Sequence, residues 1–277
     1  MKYSQGEMNG VDVFSLDSLW LFLIGGLAGF AGSIVGLGGG FIMIPFLIFL
    51  FDAEPELIIG TSMAVLFVNS ISSTLAYSRQ KKIDFQSGAW FALLMVPGSI
   101  VGAMLAEAFS GKIFYVVFGL FLMAVSIFLL VKPNQPVRNF LPATVTREFT
   151  DAKGETFTYS FHRGFGMAVS FLTGFVSSLL GIGGGSIMVP TMVLLLSFPP
   201  HIATATSMFT IMLSSLVGTI SHIALGNVVW MQALYLAPGA FLGGQLGARV
   251  AAKLPAKTIL RILAVTLILV AIRLIFK

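Results

Sequence analysis

Three long stretches of this chain carry no charged side chain. No Asp, Glu, Lys or Arg occurs between Ser18 and Phe51, between Leu57 and Ser78, or between Gly164 and Ala248. Of all 277 residues, 57% are hydrophobic and 10% are charged, whereas soluble domains have about 25% charged residues. A water-soluble fold of this size could not bury such stretches, but a lipid bilayer requires them. The sequence therefore predicts an all-α polytopic membrane protein.

The composition also excludes several classes of function. The chain has no cysteine, which excludes disulfides, thiol nucleophiles and thiolate metal sites. The formal charge of +5 comes from Lys and Arg in short loops beside apolar segments, so we expect a membrane topology signal and no nucleic-acid partner. No cluster of His and carboxylates has metal-ligand spacing, and no nucleophile–base pair stands out. We therefore expect no enzyme, no metal and no cofactor.

One segment of the sequence is repeated. The stretch Gly29–Pro45 matches Gly174–Pro190 with a constant offset of 145 residues, and each copy contains three consecutive glycines. The same offset carries a Thr-Ser-Met run at 61–63 onto an identical run at 206–208. A register this long indicates an internal duplication.

The later glycines of each half form a second matched set. An alignment with a slip of four residues pairs Pro97, Gly98 and Gly102 with Pro238, Gly239 and Gly243, respectively. We interpret these G-x-x-x-G pairs behind prolines as sites of close helix packing with a kink.

Each half contains five apolar segments. They run over about 18–36, 40–51, 57–77, 86–108 and 112–131 in the first half, and over about 163–181, 185–197, 202–224, 229–250 and 257–276 in the second. The second segment of each half is short, because twelve helical residues cover about 18 Å while the hydrocarbon core is about 30 Å thick. We therefore predict that each glycine run lies in the membrane, in a re-entrant or discontinuous helical hairpin.

Such a hairpin adds an even number of crossings whether it spans the bilayer or turns back. Each repeat, 18–131 and 163–277, then crosses an odd number of times, which predicts two repeats of inverted topology. The Lys and Arg residues of the loops place the linker 132–162 in the cytoplasm. The N-terminal segment 1–17 is net acidic, unlike a signal peptide, and falls outside. Alternating polar and apolar residues around 151–154 predict a small β-hairpin in the linker.

The glycine runs are the first candidates for a functional site. A glycine-rich break at membrane depth is tolerated where it is buried in protein or lines a cavity. The helix that follows each run, predicted to begin at Phe41 or Ser186, would aim its positive end at an anion. The alternative for the glycines is tight packing of small residues. For the Thr-Ser pairs the alternative is a helix cap or a bond back to carbonyls of their own helix, and for Asn69 it is a hydrogen bond between helices. The candidate substrate-binding residues are Gly38, Gly39, Gly40, Thr61, Ser62, Asn69, Gly183, Gly184, Gly185, Ser186, Thr206 and Ser207.

Ionisable residues inside the membrane are functional candidates by default. His222 and Glu107, each near the end of a predicted segment, are the candidates for proton coupling. An interfacial position without any coupling role is the alternative for both residues.

The twin glycine motifs, each followed by a proline and later by Thr-Ser, resemble those of the sulfite exporter TauE/SafE family. The resemblance covers the chain apart from its N-terminal stretch and the central linker. It implies export or uptake of sulfite, sulfonates or related small anions, with the glycine motifs, Thr61, Ser62, Thr206 and Ser207 lining the translocation site. The expected partners are a small anionic substrate and the lipid bilayer. The sequence leaves open whether the protein forms a homodimer.

We expect a multi-pass protein of the bacterial inner membrane that exports a small sulfur-containing anion by alternating access. The alternatives are a passive anion channel and an importer of a small carboxylate or sulfonate coupled to H⁺ or Na⁺. A membrane enzyme would need acid–base or metal residues on the cavity, and a structural protein would not need paired glycine breaks.

Overall fold

The computed structural model describes residues 16–51, 54–106, 141–152 and 154–255, with isolated residues between 116 and 127 and between 258 and 272. The first half contains helices α1 (Leu16–Val35), α2 (Gly40–Phe51), α3 (Pro55–Arg79) and α4 (Phe85–Ala106). An antiparallel hairpin follows, made of β1 (Val145–Thr150) and β2 (Thr156–Phe161). The second half contains α5 (Arg163–Leu180), α6 (Gly185–Leu194), α7 (Pro200–Ala224) and α8 (Trp230–Ala251). The predicted helical fold with one small hairpin is confirmed. The fifth segment of each half lies largely outside the described residues.

Five of the described helices, α1, α3, α4, α5 and α7, are long and apolar enough to cross a membrane. Large apolar side chains on their outer faces are exposed, as on Leu93, Met104 and Leu172. In water such a surface would be costly, whereas lipid tails solvate it. The protein is therefore a multi-pass membrane protein.

The helices begin and end where local chemistry favours it. Pro55 and Pro200 are the first residues of α3 and α7, where the missing N–H of proline costs nothing. Gly181 ends α5 in the left-handed conformation at φ +70°, a backbone conformation that glycine adopts without strain. The short helices α2 and α6 begin at Gly40 and Gly185, one residue before the predicted starts.

The two halves pack against each other through glycines, with α1 against α8 and α4 against α5. Gly98 of α4 lies against the carbonyl of Phe171, and Gly243 of α8 lies against the carbonyl of Gly26. Because residues 26 and 171 differ by 145, Gly98 corresponds to Gly243 and the register stays at 145. The predicted four-residue slip is therefore wrong.

The reason for this error is the spacing of the glycines in α8. Gly239, Gly243 and Gly247 repeat every four residues, so a sequence alignment finds a second match one helical turn away. In the structure Gly102 lies against the carbonyl of Phe175 and Gly247 lies against that of Phe30, which again gives an offset of 145. Helix α4 packs closely against α5, and α8 packs closely against α1, in both cases through glycines, as predicted.

Helices α3 and α7 meet near the centre of the molecule and run antiparallel. Gly60, near the start of α3, lies against the carbonyl of Asn227, just after the end of α7. Asp84, just after the end of α3, donates its N–H to Thr206 near the start of α7 at 3.0 Å. Between these ends, the hydroxyl oxygens of Ser70 and Ser215 are 3.4 Å apart. These two serines also differ by 145 positions, so the approximate two-fold axis that exchanges the halves passes between them.

Candidate functional site

The two glycine segments lie against each other in the centre of the molecule. We call residues 36–40 the first break and residues 181–185 the second break, and all ten residues are buried. A side chain on Gly40 would overlap the carbonyl oxygen of Gly181, and one on Gly185 would overlap that of Gly36. The predicted glycine runs are thus brought together. Their contact requires glycine because neither position has room for a Cβ atom.

The backbone of both breaks also requires glycine for its conformation. The φ angles are +81°, +86° and +100° at Gly36, Gly38 and Gly39, and +70° and +81° at Gly181 and Gly183. Side chains rarely adopt this left-handed region. Gly184 differs from its counterpart Gly39, with φ −65°. The two breaks therefore have similar but not identical paths.

Ser62 and Ser207 bond the breaks together in a reciprocal manner. Ser62 Oγ lies 2.9 Å from the carbonyl oxygen of Gly181, and Ser207 Oγ lies 2.8 Å from that of Gly36. Each hydroxyl also lies within 2.9 Å of a carbonyl of its own helix. Both predicted serines are therefore at the breaks, but they satisfy the carbonyl that each glycine turn leaves without a helical partner.

Thr61 and Thr206 hold the loops at opposite ends of the antiparallel pair. Thr61 Oγ1 accepts a hydrogen bond from the N–H of Val229 at 2.9 Å, and Thr206 Oγ1 accepts one from Asp84 at 3.0 Å. Residues 84 and 229 are again 145 apart and directly precede α4 and α8. The two threonines therefore join the break region to the loops in which these helices begin.

A closed polar network fills the space beside the first break. Asn69 Nδ2 donates to the carbonyl of Gly38 at 2.6 Å, and Ser33 Oγ donates to Asn69 Oδ1 at 3.3 Å. Tyr77 donates its hydroxyl proton to the carbonyl of Ser33 at 2.7 Å. All these side chains are buried. Asn69, which the sequence singled out, therefore bonds directly to the first break.

The second half has smaller or different side chains at the equivalent positions. Ser214 stands where the first half has Asn69, and Gly218 stands where it has Ser73. His222 replaces Tyr77, and its Nε2 lies 3.1 Å from the carbonyl of Ser178, the equivalent of Ser33. His222 is fully buried within the protein and lies in the last turn of α7. The other coupling candidate, Glu107, lies outside the described residues.

The starts of α2 and α6 supply N–H groups next to the breaks. The first bonds within α2 run from Ile42 and Met43 to the carbonyl of Gly39, both at 3.1 Å. In α6 the N–H groups of Ile187 and Met188 bond to Gly184 at 3.3 and 3.0 Å. The N–H groups that precede these have no acceptor within their helix, and the helix dipole makes this end positive. Ser186 lies in the first turn of α6, with its hydroxyl 3.4 Å from the carbonyl of Gly183.

The β-hairpin is docked on the membrane helices through a buried carboxylate that sequence analysis missed. Arg147 forms an ion pair with Asp84 at 3.1 Å, and Tyr159 donates its hydroxyl to the same carboxylate at 2.7 Å. Ser87 donates its N–H to Asp84 Oδ1 at 3.1 Å, so Asp84 also caps α4. Aromatic side chains of β2 pack beside Phe91 and Phe198. The segment that was expected to be a linker therefore also covers part of the helical surface.

This environment determines the protonation of the docking residues. Burial raises the pKa of Asp84, but the hydrogen bonds from Ser87, Arg147 and Tyr159 outweigh it and leave the pKa below its usual value. Burial and the bond to Asp84 raise the pKa of the Tyr159 phenol. Asp84 is thus a carboxylate at neutral pH and Tyr159 is a neutral donor. One signal in the sequence pointed to Asp84, namely a carboxylate immediately before an apolar helix, where caps occur.

Comparison with known proteins agrees with this architecture. The family model described as sulfite exporter TauE/SafE matches residues 21–274. The chain belongs to the TauE/SafE family. The probable membrane transporter protein YunE of Bacillus subtilis (strain 168) is 43% identical over 264 residues, which cover 93% of this chain and 97% of that protein. The resemblance predicted from the glycine motifs is therefore confirmed.

More distant TauE/SafE relatives bear similar names. A probable membrane transporter protein of Xylella fastidiosa (strain Temecula1) is 27% identical over 91% of this chain and 93% of its own length. One of Methanocaldococcus jannaschii is 30% identical over 73% of this chain and 71% of its own length. No solved structure matches the chain significantly. A membrane transporter is thus the function that the family and its named members support.

Proposed function

We propose that this TauE/SafE protein is a secondary transporter that exports a small sulfur-containing anion, such as sulfite or a sulfonate, across the bacterial inner membrane. The observation that carries the proposal is the contact between two buried glycine breaks, each followed by the start of a helix. Helix starts and exposed amides are a common way for transporters to hold anions at mid-membrane. The substrate class comes from the family description.

Alternating access is the mechanism that fits the two related halves. The antiparallel α3 and α7 and the exchange of contacts across Ser70 and Ser215 support inverted repeats, with the breaks near the bilayer midplane. Rocking of one half against the other would open the breaks to each side in turn. In the structure, Ser62 and Ser207 link the halves. Release of these two bonds would accompany opening.

The electrostatics of the spans favour moderate binding and outward movement. Among the described residues, none from Leu57 to Ser78 or from Gly164 to Ala248 is a Lys, Arg, Asp or Glu. Helix dipoles and neutral hydrogen-bond donors would therefore bind an anion less tightly than a Lys or Arg side chain would, so that the anion can be released. The inside-negative potential drives anion export with about 2.3 kcal/mol per charge per 100 mV.

Transport by the purified protein in proteoliposomes tests the proposal. We expect saturable uptake of labelled sulfite or methanesulfonate when a potassium gradient with valinomycin makes the lumen positive. Preloading with unlabelled sulfite should accelerate the exchange. Flux that does not saturate would indicate a channel, and preference for acetate over both sulfur anions would contradict the substrate class. No flux above that of empty liposomes would contradict the transporter itself.

Two glycine variants test whether the breaks carry this flux. In Gly185→Ala the new methyl group would overlap the carbonyl of Gly36, so we expect a loss of at least tenfold in transport rate. The control is Gly26→Ala, because the nearest atom to its methyl group would be the carbonyl oxygen of Gly239 at 3.7 Å, an ordinary contact. Both proteins must elute as the wild type does. Equal transport by both variants would show that the contact between the breaks is not needed.

A further inference from the structure

The two glycine breaks differ in how their polar surroundings are filled. At the first break, the side-chain amide of Asn69 bonds to the carbonyl of Gly38 and accepts a bond from Ser33. The equivalent of Asn69 is Ser214, which is too short to make the same pair of bonds. By the register of 145 residues, Ser214 occupies the position in the second half from which Asn69 bonds to the first break. The reciprocal contacts of Leu66 with Gly183 and of Ile211 with Gly38 follow the same register.

Two buried serine hydroxyls of the second half have no partner among the described residues. Within the part of the chain that the structure describes, Ser177 Oγ and Ser214 Oγ have no hydrogen-bond partner. Their relative exposures are 1% and 0%. An unpaired buried hydroxyl costs about 1–3 kcal/mol. Such groups call for a partner other than the described residues, such as a ligand or a water molecule.

The position of Ser177 points to the start of α6. Its equivalent is Gly32, where a side chain would overlap the backbone nitrogen of Gly39. By the register of 145 residues, Ser177 corresponds to Gly32, and Gly184, the residue that caps α6, corresponds to Gly39. The backbone accommodates this serine, since φ is −65° at Gly184 but +100° at Gly39. The second half thus has a buried hydroxyl without a partner among the described residues where the first half has a glycine.

The third difference lies in the first turn of each short helix. Phe41 follows the last glycine of the first break and is 1% exposed, whereas Ser186 occupies this position in the second break. An aromatic ring thus fills the first copy where the second carries a small hydroxyl. The second half therefore has three serines, Ser177, Ser186 and Ser214, at the positions that correspond to Gly32, Phe41 and Asn69 around the first break.

We propose that the anion binds off the two-fold axis, at the second break alone, with its oxygens on the hydroxyls of Ser177, Ser186 and Ser214 and on the first N–H groups of α6. The first break is a structural copy closed by Asn69. Several hydroxyl donors around one helix start fit a compact oxyanion with three oxygens on one centre, the chemistry of sulfite and sulfonates, better than a planar carboxylate with two. This assignment rests on the proposed function.

Binding of sodium sulfite and sodium methanesulfonate to the purified full-length protein, measured by calorimetry, tests the assignment. Ser214→Ala removes one donor to the anion, and we expect a Kd about tenfold higher or more. Ser214→Asn supplies the amide that closes the first break, and we expect a larger loss. Ser177→Gly copies the first half at a second position, and we expect it to raise the Kd as well.

Two control variants separate this effect from general damage. Thr219→Val removes another buried hydroxyl of α7 that has no partner among the described residues, and its equivalent in the first half is also a threonine, Thr74. Ser33→Ala disturbs the network of the first break. We expect both to bind the probes within about a factor of two of the wild type.

The outcomes separate this assignment from the proposed function. If the wild type binds a probe and the Ser177 and Ser214 variants bind it equally well, the assignment is overturned while the transporter stands. The same holds if Ser33→Ala loses affinity and the Ser214 variants do not. If the wild type binds neither probe, both the anion function and the assignment fail. Should Ser214→Asn not fold, Ser214→Ala and Ser177→Gly decide the question by themselves.

Discussion

Hydrogen bonds from single hydroxyl groups join the two halves at the breaks. Ser62 and Ser207 each reach across to a glycine carbonyl of the other half. A carbonyl left in hydrocarbon without a donor would be costly. Each serine therefore stabilises a turn that lies in the other copy of the repeat. This arrangement explains why the Thr-Ser pair accompanies the glycine run in both halves.

Replacement of either serine by alanine should lower the stability to a similar extent. In Ser62→Ala the carbonyl of Gly181 loses its donor, and in Ser207→Ala the carbonyl of Gly36 does. We expect each to reduce the free energy of unfolding by about 1 kcal/mol, since hydrogen bonds between membrane helices average about 0.6 kcal/mol and buried acceptors cost more. Denaturant unfolding in detergent micelles measures this.

The control for this pair is Ser221→Ala, because the Ser221 hydroxyl donates to Val217 within its own helix at 3.0 Å. We expect a change below about 0.3 kcal/mol there. A result in which Ser221→Ala is as destabilising as the other two would contradict the role of the bonds between halves.

The sequence located these residues but not the partners of their hydroxyls. The repeat placed Thr61, Ser62, Thr206 and Ser207 beside the glycine runs, since duplicated polar residues in apolar segments stand out. Which atom each hydroxyl contacts depends on how the halves pack, and no periodicity encodes that. Asp84 and Tyr159 were missed for the same reason, because an ion pair between a loop and a distant hairpin leaves no local pattern.

At the scale of elements, the docked hairpin distinguishes one side of the molecule from the other. Asp84 binds Arg147 and Tyr159 through its carboxylate and Thr206 through its N–H. At the equivalent position of the other half, Val229 makes the N–H bond but has no carboxylate. The hairpin is therefore attached at one of two otherwise related ends, next to the start of α7.

Acid should detach the hairpin. The folded-state pKa of Asp84 is lowered, so its contribution to stability is complete above the unfolded-state pKa, which is about 3.9. That contribution is lost as the pH falls below this value through the folded-state pKa. We expect protease cleavage within residues 145–161 to be slow at neutral pH and to accelerate below about pH 4, measured with an acid-active protease across the range.

The variant Arg147→Gln sharpens this test. Loss of the ion pair removes one cause of the low pKa of Asp84, so cleavage should accelerate at a higher pH than in the wild type. At neutral pH we expect a loss of about 1–3 kcal/mol in docking. Glu148→Gln is the matched control, since Glu148 lies on the exposed face of the same strand. Identical profiles for Arg147→Gln and the wild type would contradict the role of the ion pair.

For the whole molecule, the orientation of the halves is the property with the clearest test. Lys81 follows α3 and Leu225 follows α7 at nearly equivalent positions, and both are exposed. Because the chain has no native cysteine, single cysteines can be introduced directly. We expect an impermeant maleimide to label Glu54→Cys and Leu225→Cys from outside the cell. Lys81→Cys and Thr158→Cys should react after permeabilisation alone.

Labelling of Lys81→Cys and Leu225→Cys from the same side would contradict inverted halves. Labelling of all four in the reverse sense would keep the inversion and contradict the sidedness that the loop charges predict. The predicted inversion rests on the parity of the membrane crossings, which does not depend on segment boundaries. The sequence also revealed the duplication, the helices and the hairpin, because each has a period or a turn signal of its own. The predicted sequence alignment of α4 with α8 was wrong because glycines repeated every four residues fit two alignments.

The reciprocal serine bonds bear on where such a chain could have come from. One half alone, expressed without the other, would leave its glycine carbonyl without a donor, since that donor belongs to the other copy. Two identical halves related by the same exchange would meet the need in both directions, as the self-complementary face of a symmetric dimer does. A single ancestral unit inserted in both orientations could thus have assembled as an antiparallel pair before gene fusion joined the two copies. The fused copies have since diverged, as Asn69 and Ser214 at equivalent positions show.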